Sequence, residues 1–481
     1  FIDTGPRTGN SKNTKPKADN KQSMKTKNSK NTLSRRDFLK SSAVGALGAV
    51  IAPSLITTGC SSSDEKKYPK AVVPELLPQA PDGRPLKAGL IGCGGRGTGA
   101  AVNFRDAGNG LTVTMLADIF PDKLDACRKT LKGKGIEVTD ENCFLGFDAY
   151  KNLIDSDVDV VLLCTPPAFR AQEFAYAVEK GKHVFLEKPC AVDPVGARSI
   201  LKSAKIAEQK GLSVISGTIR RSQRDCIETY RRVAEGAIGD IVSAQVIRNG
   251  GTLWHKKRQP EWNDMEYLMR NWPNFCCVSG DMPAEQFIHE IDMMSWFLGD
   301  KKPQRAIGYG GRQRRVSGDV YDFFSIQYIY DNGMRTNCAS RQIDGCDNEL
   351  SVMVYGTNGS TNCFDTIYNP DGTVAWQYPK PAPEDPDQTW AVKDPYVQEH
   401  IRLVTAIRNN EPLNDAETHV QSVLMAIMGR MAAYTGKSVT WDELIASDLK
   451  ITLDQYEFGP IPGGLNEVVP KPGTDSGNEQ A

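Results

Sequence analysis

Three groups of residues in this 481-residue chain have the types and spacing to do chemistry. In the first, Gly92, Cys93, Gly94, Gly95, Arg96 and Gly97 follow a short apolar run and precede a stretch that begins as a helix at Thr98. A strand, a tight turn and a helix N-terminus in that order are the context that G-x-G-x-x-G needs. Gly92 allows the sharp turn, Gly94 lets backbone N–H groups approach a pyrophosphate, and Gly97 lets helix and strand pack closely. Glycine-rich turns are common, so a second feature must decide. The next strand, residues 111–117, ends at Asp118, roughly 20 residues past the last glycine, where a carboxylate hydrogen-bonds a ribose 2′-OH and repels a 2′-phosphate. Together these predict a dinucleotide site, with NAD favoured over NADP.

The second group is Glu187-Lys188-Pro189 at the end of a short apolar strand, residues 183–186. An ammonium there, beside a bound cofactor, could polarise a substrate oxygen or, with its pKa lowered by burial, take a proton. Read alone, the tripeptide is a surface lysine paired with Glu187. The third group is Glu285, His289 and Asp292, spaced i, i+4 and i+7 on a helix expected from Pro283 onward. An imidazole between carboxylates would be oriented and its pKa raised toward neutrality. The competing reading is a helix buried on its Ile288, Met293 and Trp296 side with the polar residues solvated. Metal binding by the same trio ranks below acid/base work, and no metal is expected.

The elements that must position these groups alternate between strand and helix over residues 87–218. Helical stretches are expected at 121–132, 148–154, 171–180 and 194–209, and strands at 157–164, 183–186 and 213–216. The strand at 157–164 ends in Thr165-Pro166-Pro167, at the carboxyl edge where open α/β sheets put their ligands. The fold class is therefore α/β: a doubly wound parallel sheet of Rossmann type, followed by an α+β domain over 219–460. In that second domain alternating segments at 241–248, 306–308, 322–330, 334–341 and 350–355, with an Asp331-Asn332-Gly333 turn, predict an open, mainly antiparallel sheet. Trp254, His255, Trp262 and Trp272 fall in a segment without a clean period, expected as a loop that either offers indoles to a sugar ring or covers them. Arg220 and Arg221 are either substrate contacts for hydroxyls or anionic groups, or interdomain salt bridges, the second being preferred. The helix over 416–435 reads as core, and the chain beyond Ile451, including a tail at 461–481, as extended or disordered.

Composition bounds the rest. A 40% hydrophobic chain with net charge -1 is a globular protein without the basic excess that nucleic acid requires. Residues 1–86 differ: they are polar and unpatterned at first, with Met24 as the expected initiator. Ser34-Arg35-Arg36-Asp37-Phe38-Leu39-Lys40 and the mild apolar run behind it, too short for a membrane span, look like a twin-arginine export signal. Thr58-Gly59-Cys60 resembles a lipoprotein processing site, although Thr57 fits it poorly, so Cys60 is a candidate lipid anchor. Export by this route carries folded proteins to the periplasm or cell envelope, so a dinucleotide would have to be loaded beforehand and kept. Twelve cysteines show no C-x-x-C or zinc-like spacing, and Cys93, Cys164 and Cys190 read as small core residues.

The glycine fingerprint, the Thr165-Pro166 loop and the Glu187-Lys188-Pro189 strand end, in this order and at these separations, resemble the Gfo/Idh/MocA oxidoreductase family over residues 87–449. The resemblance implies that Lys188 lies at the nicotinamide and contacts a sugar or polyol, and that Thr165, Pro166 and Glu187 border the cofactor. It also implies that His289 is the proton shuttle, with Asp292 in the site. Glu285 replaces the family's common Asp and Phe287 its Gly, which implies an altered, bulkier pocket, and Arg170 stands where the family often has His. Three activities follow as expectations: NAD-dependent oxidation or reduction of a carbohydrate or polyol hydroxyl; a redox-neutral glycosidase working by transient oxidation, elimination and re-reduction; or a non-catalytic sugar-binding lipoprotein. The sheet of such proteins pairs subunits, so a homo-oligomer is expected.

Overall fold

The computed structural model of the chain describes residue 68 and residues 70–379 and 394–473. The export motif, Met24 and Cys60 lie outside the described residues, and the described residues belong to one compact unit, Lys66–Ala481.

The first layer is built as the alternation demands. Strands β1 (Leu86–Ile91), β2 (Leu111–Asp118), β3 (Cys143–Leu145), β4 (Val160–Leu163), β5 (His183–Leu186) and β6 (Val214–Ser216) form one parallel sheet in the order β3-β2-β1-β4-β5-β6. Helices α1 (Gly95–Asp106), α2 (Pro121–Gly133), α3 (Ala149–Ile154), α4 (Pro167–Glu179) and α5 (Pro194–Gln209) connect them. All four residues of β4 are buried, as a central parallel strand covered on both faces must be. Strand order reverses between β1 and β4, so the glycine loop after β1 and the Thr165-Pro166 loop after β4 face each other across the switch point.

A turn at Ile219–Ser222 and helix α6 (Arg224–Ala234) lead into the second domain. Its helices are α7 (Asp264–Arg270), α8 (Cys276–Ser279), α9 (Asp281–Glu285), α10 (Ile288–Phe297), α11 (Pro395–Arg408), α12 (Ala416–Thr435) and α13 (Trp441–Ala446). Strands β7 (Ile241–Gly250), β8 (Arg305–Gly311), β9 (Phe323–Ile329), β10 (Arg335–Gln342), β11 (Glu349–Gly356), β12 (Gly359–Thr361), β13 (Thr366–Tyr368), β14 (Val374–Gln377) and β15 (Val439–Thr440) make one nine-stranded sheet. It is antiparallel except where β7 and β10 pair in parallel. Helix α12 lies directly on this sheet: a Cβ on Gly308 would meet the Ala433 nitrogen at 2.6 Å and the Gly429 carbonyl oxygen at 2.7 Å. The fully buried Arg430 of α12 donates to the carbonyls of Val192 (2.8 Å) and Gly280 (2.9 Å), tying α12 to the first domain and to the segment that carries the reacting groups.

Three expectations are corrected. The helix foreseen over 283–297 is two helices, broken at Gln286 and Phe287, because both of those N–H groups return to the Met282 carbonyl (3.0 and 2.9 Å) and the buried Phe287 ring turns into the core. The tryptophan segment is not all loop, since α7 forms after Asn263 accepts from the Glu266 N–H at 2.9 Å as an N-cap. Beyond the expected boundary at 218, α11 packs back on α1, β5 and β6 of the nucleotide domain. Finally, residues 451–473 are irregular but packed. Ile451 N–H donates to Asp193 (2.9 Å), and the Tyr456 ring lies 4.5 Å from Phe169 and Phe458 5.6 Å from Phe120.

Candidate active site

The glycine loop meets the steric demands read from its spacing. Gly92 has φ +95°, and a Cβ there would strike the Cys164 backbone at 2.6 Å, whereas one on Gly97 would collide with the Gly92 carbonyl. Gly94 and Gly95 face open space within 4 Å. Gly94 caps α1 without a side-chain hydrogen bond, leaving the first N–H groups of the helix for an anion. Asp118 is held by the backbone N–H groups of Cys93 (2.7 Å) and Phe120 (2.8 Å). Burial pushes its carboxyl above the ordinary range while those amides pull it back.

These groups border one cavity of about 480 Å³. Its wall runs from Gly92, Gly94–Gly97 and Asp118, past Phe120, Phe147 and Phe169, to Thr165, Pro166, Glu187, Lys188 and Glu285, with Trp254 and Trp272 on the second-domain side. A bare helix N-terminus, two glycines open to the cavity and a carboxylate at the end of β2 fit a nicotinamide dinucleotide, with its pyrophosphate at Gly94–Gly97 and a ribose at Asp118.

Glu187 is buried. It pairs with Arg96 Nε and accepts from the Lys188 N–H at 2.7 Å. Burial raises its carboxyl, but Arg96, Lys188 and Arg170 together bring it below the ordinary range. Arg96 also stacks on Tyr396 (4.5 Å to the ring centroid) and lies 3.6 Å from the Glu399 carboxylate, both on α11. Burial pushes the Glu399 carboxyl well above its ordinary value, against the lowering charge of Arg96. Arg170, left without a role by the sequence, is buried and donates to the carbonyls of Pro189 (2.6 Å) and Thr165, joining the two strand-end loops. Glu173 accepts from the Thr165 hydroxyl at 2.5 Å, and burial pushes its carboxyl up to about 7.

Lys188 is mostly buried and its ammonium donates to the Glu285 main-chain carbonyl at 2.6 Å, with the Glu285 carboxylate at 3.5 Å. Glu285 thus faces Lys188. His289 is half-buried, and no hydrogen bond to its ring is formed among the described residues. The expectation of an imidazole held between carboxylates is overturned by the helix break. Burial first, then the charges of Lys188, Arg248, Arg220 and Arg96, push the His289 pKa well below its usual value rather than up. Asp292 does not reach the cavity: it forms a buried ion pair with Arg221 (3.0 Å) and accepts from Ser422 (2.7 Å), and Arg221 also holds Asp300 (2.7 Å). Glu285, His289 and Asp292 therefore do not converge as a metal-ligand set. Phe287 is wholly buried and lines no part of the cavity, so it does not make the pocket bulkier.

Sequence reasoning missed Tyr396 and Glu399. The signal available was an adjacent Glu399-His400 pair within the apolar series Val397, Ile401 and Val404 of α11. It also missed Phe120, Phe147, Phe169 and Arg270 of the cavity wall, which carry no motif. Cys93 and Cys190 are buried free thiols, and Cys164, at the cavity wall, is pushed up to about 12 by burial, so the reading of all three as packing residues fits their surroundings.

Two family models cover most of this architecture. Residues 86–216 match the oxidoreductase family model with an NAD-binding Rossmann fold, and residues 227–362 match the C-terminal domain model of the same family. The chain belongs to the Gfo/Idh/MocA oxidoreductase family. Its Rossmann domain is an NAD-binding one, and residues 32–52 match the twin-arginine translocation signal, which marks the chain for export across a membrane. Among the described residues no helix is long and apolar enough to cross a membrane. Similar curated proteins include a glycosyl hydrolase family 109 protein of Shewanella pealeana, 25% identical over 308 residues, covering 62% of this chain and 64% of that protein. Another is an inositol 2-dehydrogenase of Salmonella typhimurium, 26% identical over 217 residues, covering 45% of this chain and 55% of that protein. The chain thus spans less than two thirds of the length of these relatives. Among solved structures, the scyllo-inositol dehydrogenase of Lactobacillus casei with bound NAD(H) and scyllo-inositol aligns with TM-score 0.55 at 20% identity, over 76% of this chain and all of that one. At that identity it shows the shared fold.

Proposed function

We propose that this chain is an exported oxidoreductase that keeps its NAD and acts on a hydroxyl of a carbohydrate or polyol. The observation that carries this is Lys188, whose ammonium is fixed by the Glu285 carbonyl on the wall of the dinucleotide cavity and whose charge helps to lower the pKa of His289, a residue outside that wall. Bound nicotinamide supplies the hydride acceptor or donor. The chain's own residues do the rest. An ammonium has three donors, and the Glu285 carbonyl takes one, so Lys188 can hold and polarise a substrate oxygen. Neutral His289 accepts the hydroxyl proton, while Glu285 sets where the ammonium sits. Trp254 and Trp272 offer indole faces to a ring. In this reading the protein works in the periplasm or cell envelope, with Cys60 as its lipid anchor. The outward Tyr309 and Tyr355 of the large sheet face a second copy. The supporting likeness is to inositol dehydrogenases in sequence and in fold. The test is a panel of sugars and polyols added to purified protein while the absorbance of reduced nicotinamide is followed: oxidation of at least one member supports the reading, and silence across the panel overturns it.

A second reading has its own support. The export signal separates the protein from the cytoplasmic pool that would reoxidise its cofactor, and the Shewanella relative is a glycosyl hydrolase family 109 protein. In that reading the redox change is transient and the net reaction is glycoside hydrolysis. Many turnovers of an aryl glycoside with no added acceptor would establish it, whereas a net oxidoreductase stalls after the first.

A further inference from the structure

Both domains contribute to the wall of the dinucleotide cavity at its Asp118 end. Asp118, Phe120 and Lys123 come from the nucleotide domain, and Lys256, Met269, Arg270 and Trp272 from the second. Arg270, the last residue of α7, reaches across to Asp122 in the first turn of α2. Its Nη2 donates to one carboxylate oxygen at 3.0 Å and its Nη1 to the other at 3.3 Å, while its Nε donates to Glu266 of its own helix at 2.8 Å. The guanidinium also lies over the Phe120 ring, 4.0 Å from its centroid. A single exposed ion pair contributes little. Here the acid is half exposed, but the arginine side chain is only 14% exposed, grips both oxygens and stacks on an aromatic ring, and parting the domains breaks these contacts together.

The rest of the second-domain wall hangs from the same place. Asn271, next in the chain, accepts from the Lys256 N–H at 2.7 Å and donates to the Lys256 carbonyl at 3.2 Å. Asn274 donates to the Trp254 carbonyl at 3.2 Å, and both asparagines are buried. The segment that carries Trp254 and Lys256 is thus tied to the end of α7, and α7 is tied to α2 by Arg270. Asp122 and Glu266 match the charge of the guanidinium, so its role is not to attract the phosphates of the dinucleotide, which the glycine loop and the start of α1 receive.

We propose that Arg270 is a cofactor-retaining residue: paired with Asp122, it fastens the second domain over the adenosine half of the dinucleotide, whose ribose lies at Asp118, so that bound NAD leaves only when this pair opens. The assignment rests on the reading that NAD is retained, and the experiment separates the two. Exchange of the bound dinucleotide for radiolabelled NAD would be timed on full-length wild type, Arg270→Met, Asp122→Asn and the double variant, together with the melting temperature of each after its dinucleotide is removed. Arg270→Met should exchange about tenfold faster than wild type and Asp122→Asn about threefold faster, with the melting temperatures little changed. The double variant should be no faster than Arg270→Met, because both changes break one contact. Should Arg270→Met fail to fold, Asp122→Asn, at a half-exposed residue, decides alone. Unchanged exchange in the variants, or effects that simply multiply in the double variant, overturns the proposal. Slower exchange in Asp122→Asn also overturns it, since a freed guanidinium that holds NAD better is a phosphate ligand and not a fastening. Wild type that exchanges its NAD within minutes removes the retention reading, while faster exchange still in both variants would support the role of the pair.

Discussion

The Lys188 ammonium donates to the main-chain carbonyl of Glu285 at 2.6 Å and stands 3.5 Å from that residue's carboxylate. A main-chain carbonyl cannot be protonated or rotated away, so this contact fixes the ammonium's position and leaves its remaining donors for a ligand. It also joins the two domains at the point where the reaction is proposed to occur, since Lys188 follows β5 and Glu285 ends α9.

The first prediction concerns Lys188 itself. Lys188→Ala should lower kcat by about 10²-fold or more while the protein still purifies with its dinucleotide, because in the proposed reaction the side chain holds the reacting oxygen and is not needed for the glycine loop. Steady-state kinetics with a dinucleotide assay on the same sample checks both halves; a variant with full turnover removes the assignment.

His289 predicts a pH profile. Its pKa is pushed well below the usual imidazole value, so the neutral, proton-accepting form persists as the medium acidifies. For a lowered base the active form is lost only when pH falls below that reduced value. The profile of kcat/KM should therefore stay flat down to about pH 6, and His289→Gln should cost about 10²-fold or more across that plateau. An acid limb centred at about 6.5 or higher would contradict it. Arg220→Gln, which removes one nearby cation, should move the limb upward.

Asp292 should behave as a structural residue. Its carboxylate is 2% exposed and bound by Arg221, so Asp292→Ala leaves a buried guanidinium short of a partner and should cost about 3–5 kcal/mol in denaturant unfolding. Loss of activity should follow loss of fold, with kcat per folded molecule little changed. A normal unfolding midpoint with a collapsed kcat would return Asp292 to the reaction.

The packed tail gives a further test. Tyr456 and Phe458 back Phe169, Phe147 and Phe120, which line the dinucleotide cavity. Tyr456→Ala should cost about 2 kcal/mol of stability, the ring being half-buried, and should speed release of bound dinucleotide measured by gel filtration. Unchanged retention and melting would mean that the tail is mere covering.

Much of this was legible in residue order, and the physical reason separates what was from what was not. The parallel sheet announced itself because strands buried on both faces are continuous apolar runs, as in Val160–Leu163, and because glycine is required where Gly92 and Gly97 meet neighbouring backbone. Long-range partners left no such trace. Nothing local says that Gln286 and Phe287 interrupt a helix, since the interruption is set by where the Phe287 ring is buried. The spacing of Glu285, His289 and Asp292 therefore promised one face, while the fold sends the three side chains to Lys188, to the cluster of cations and to Arg221 respectively. Of the arginine pair, the sequence could not tell which would be bound; Arg221 is, and Arg220 has no carboxylate partner among the described residues.

The central claim is that NAD is resident in an exported chain. The most direct measurement is to purify the exported protein without added cofactor, denature it, and assay the supernatant for nicotinamide dinucleotide. The account predicts about one NAD per chain, retained through extensive dialysis. Protein that is folded and empty, or that loses its dinucleotide on dialysis, would contradict it.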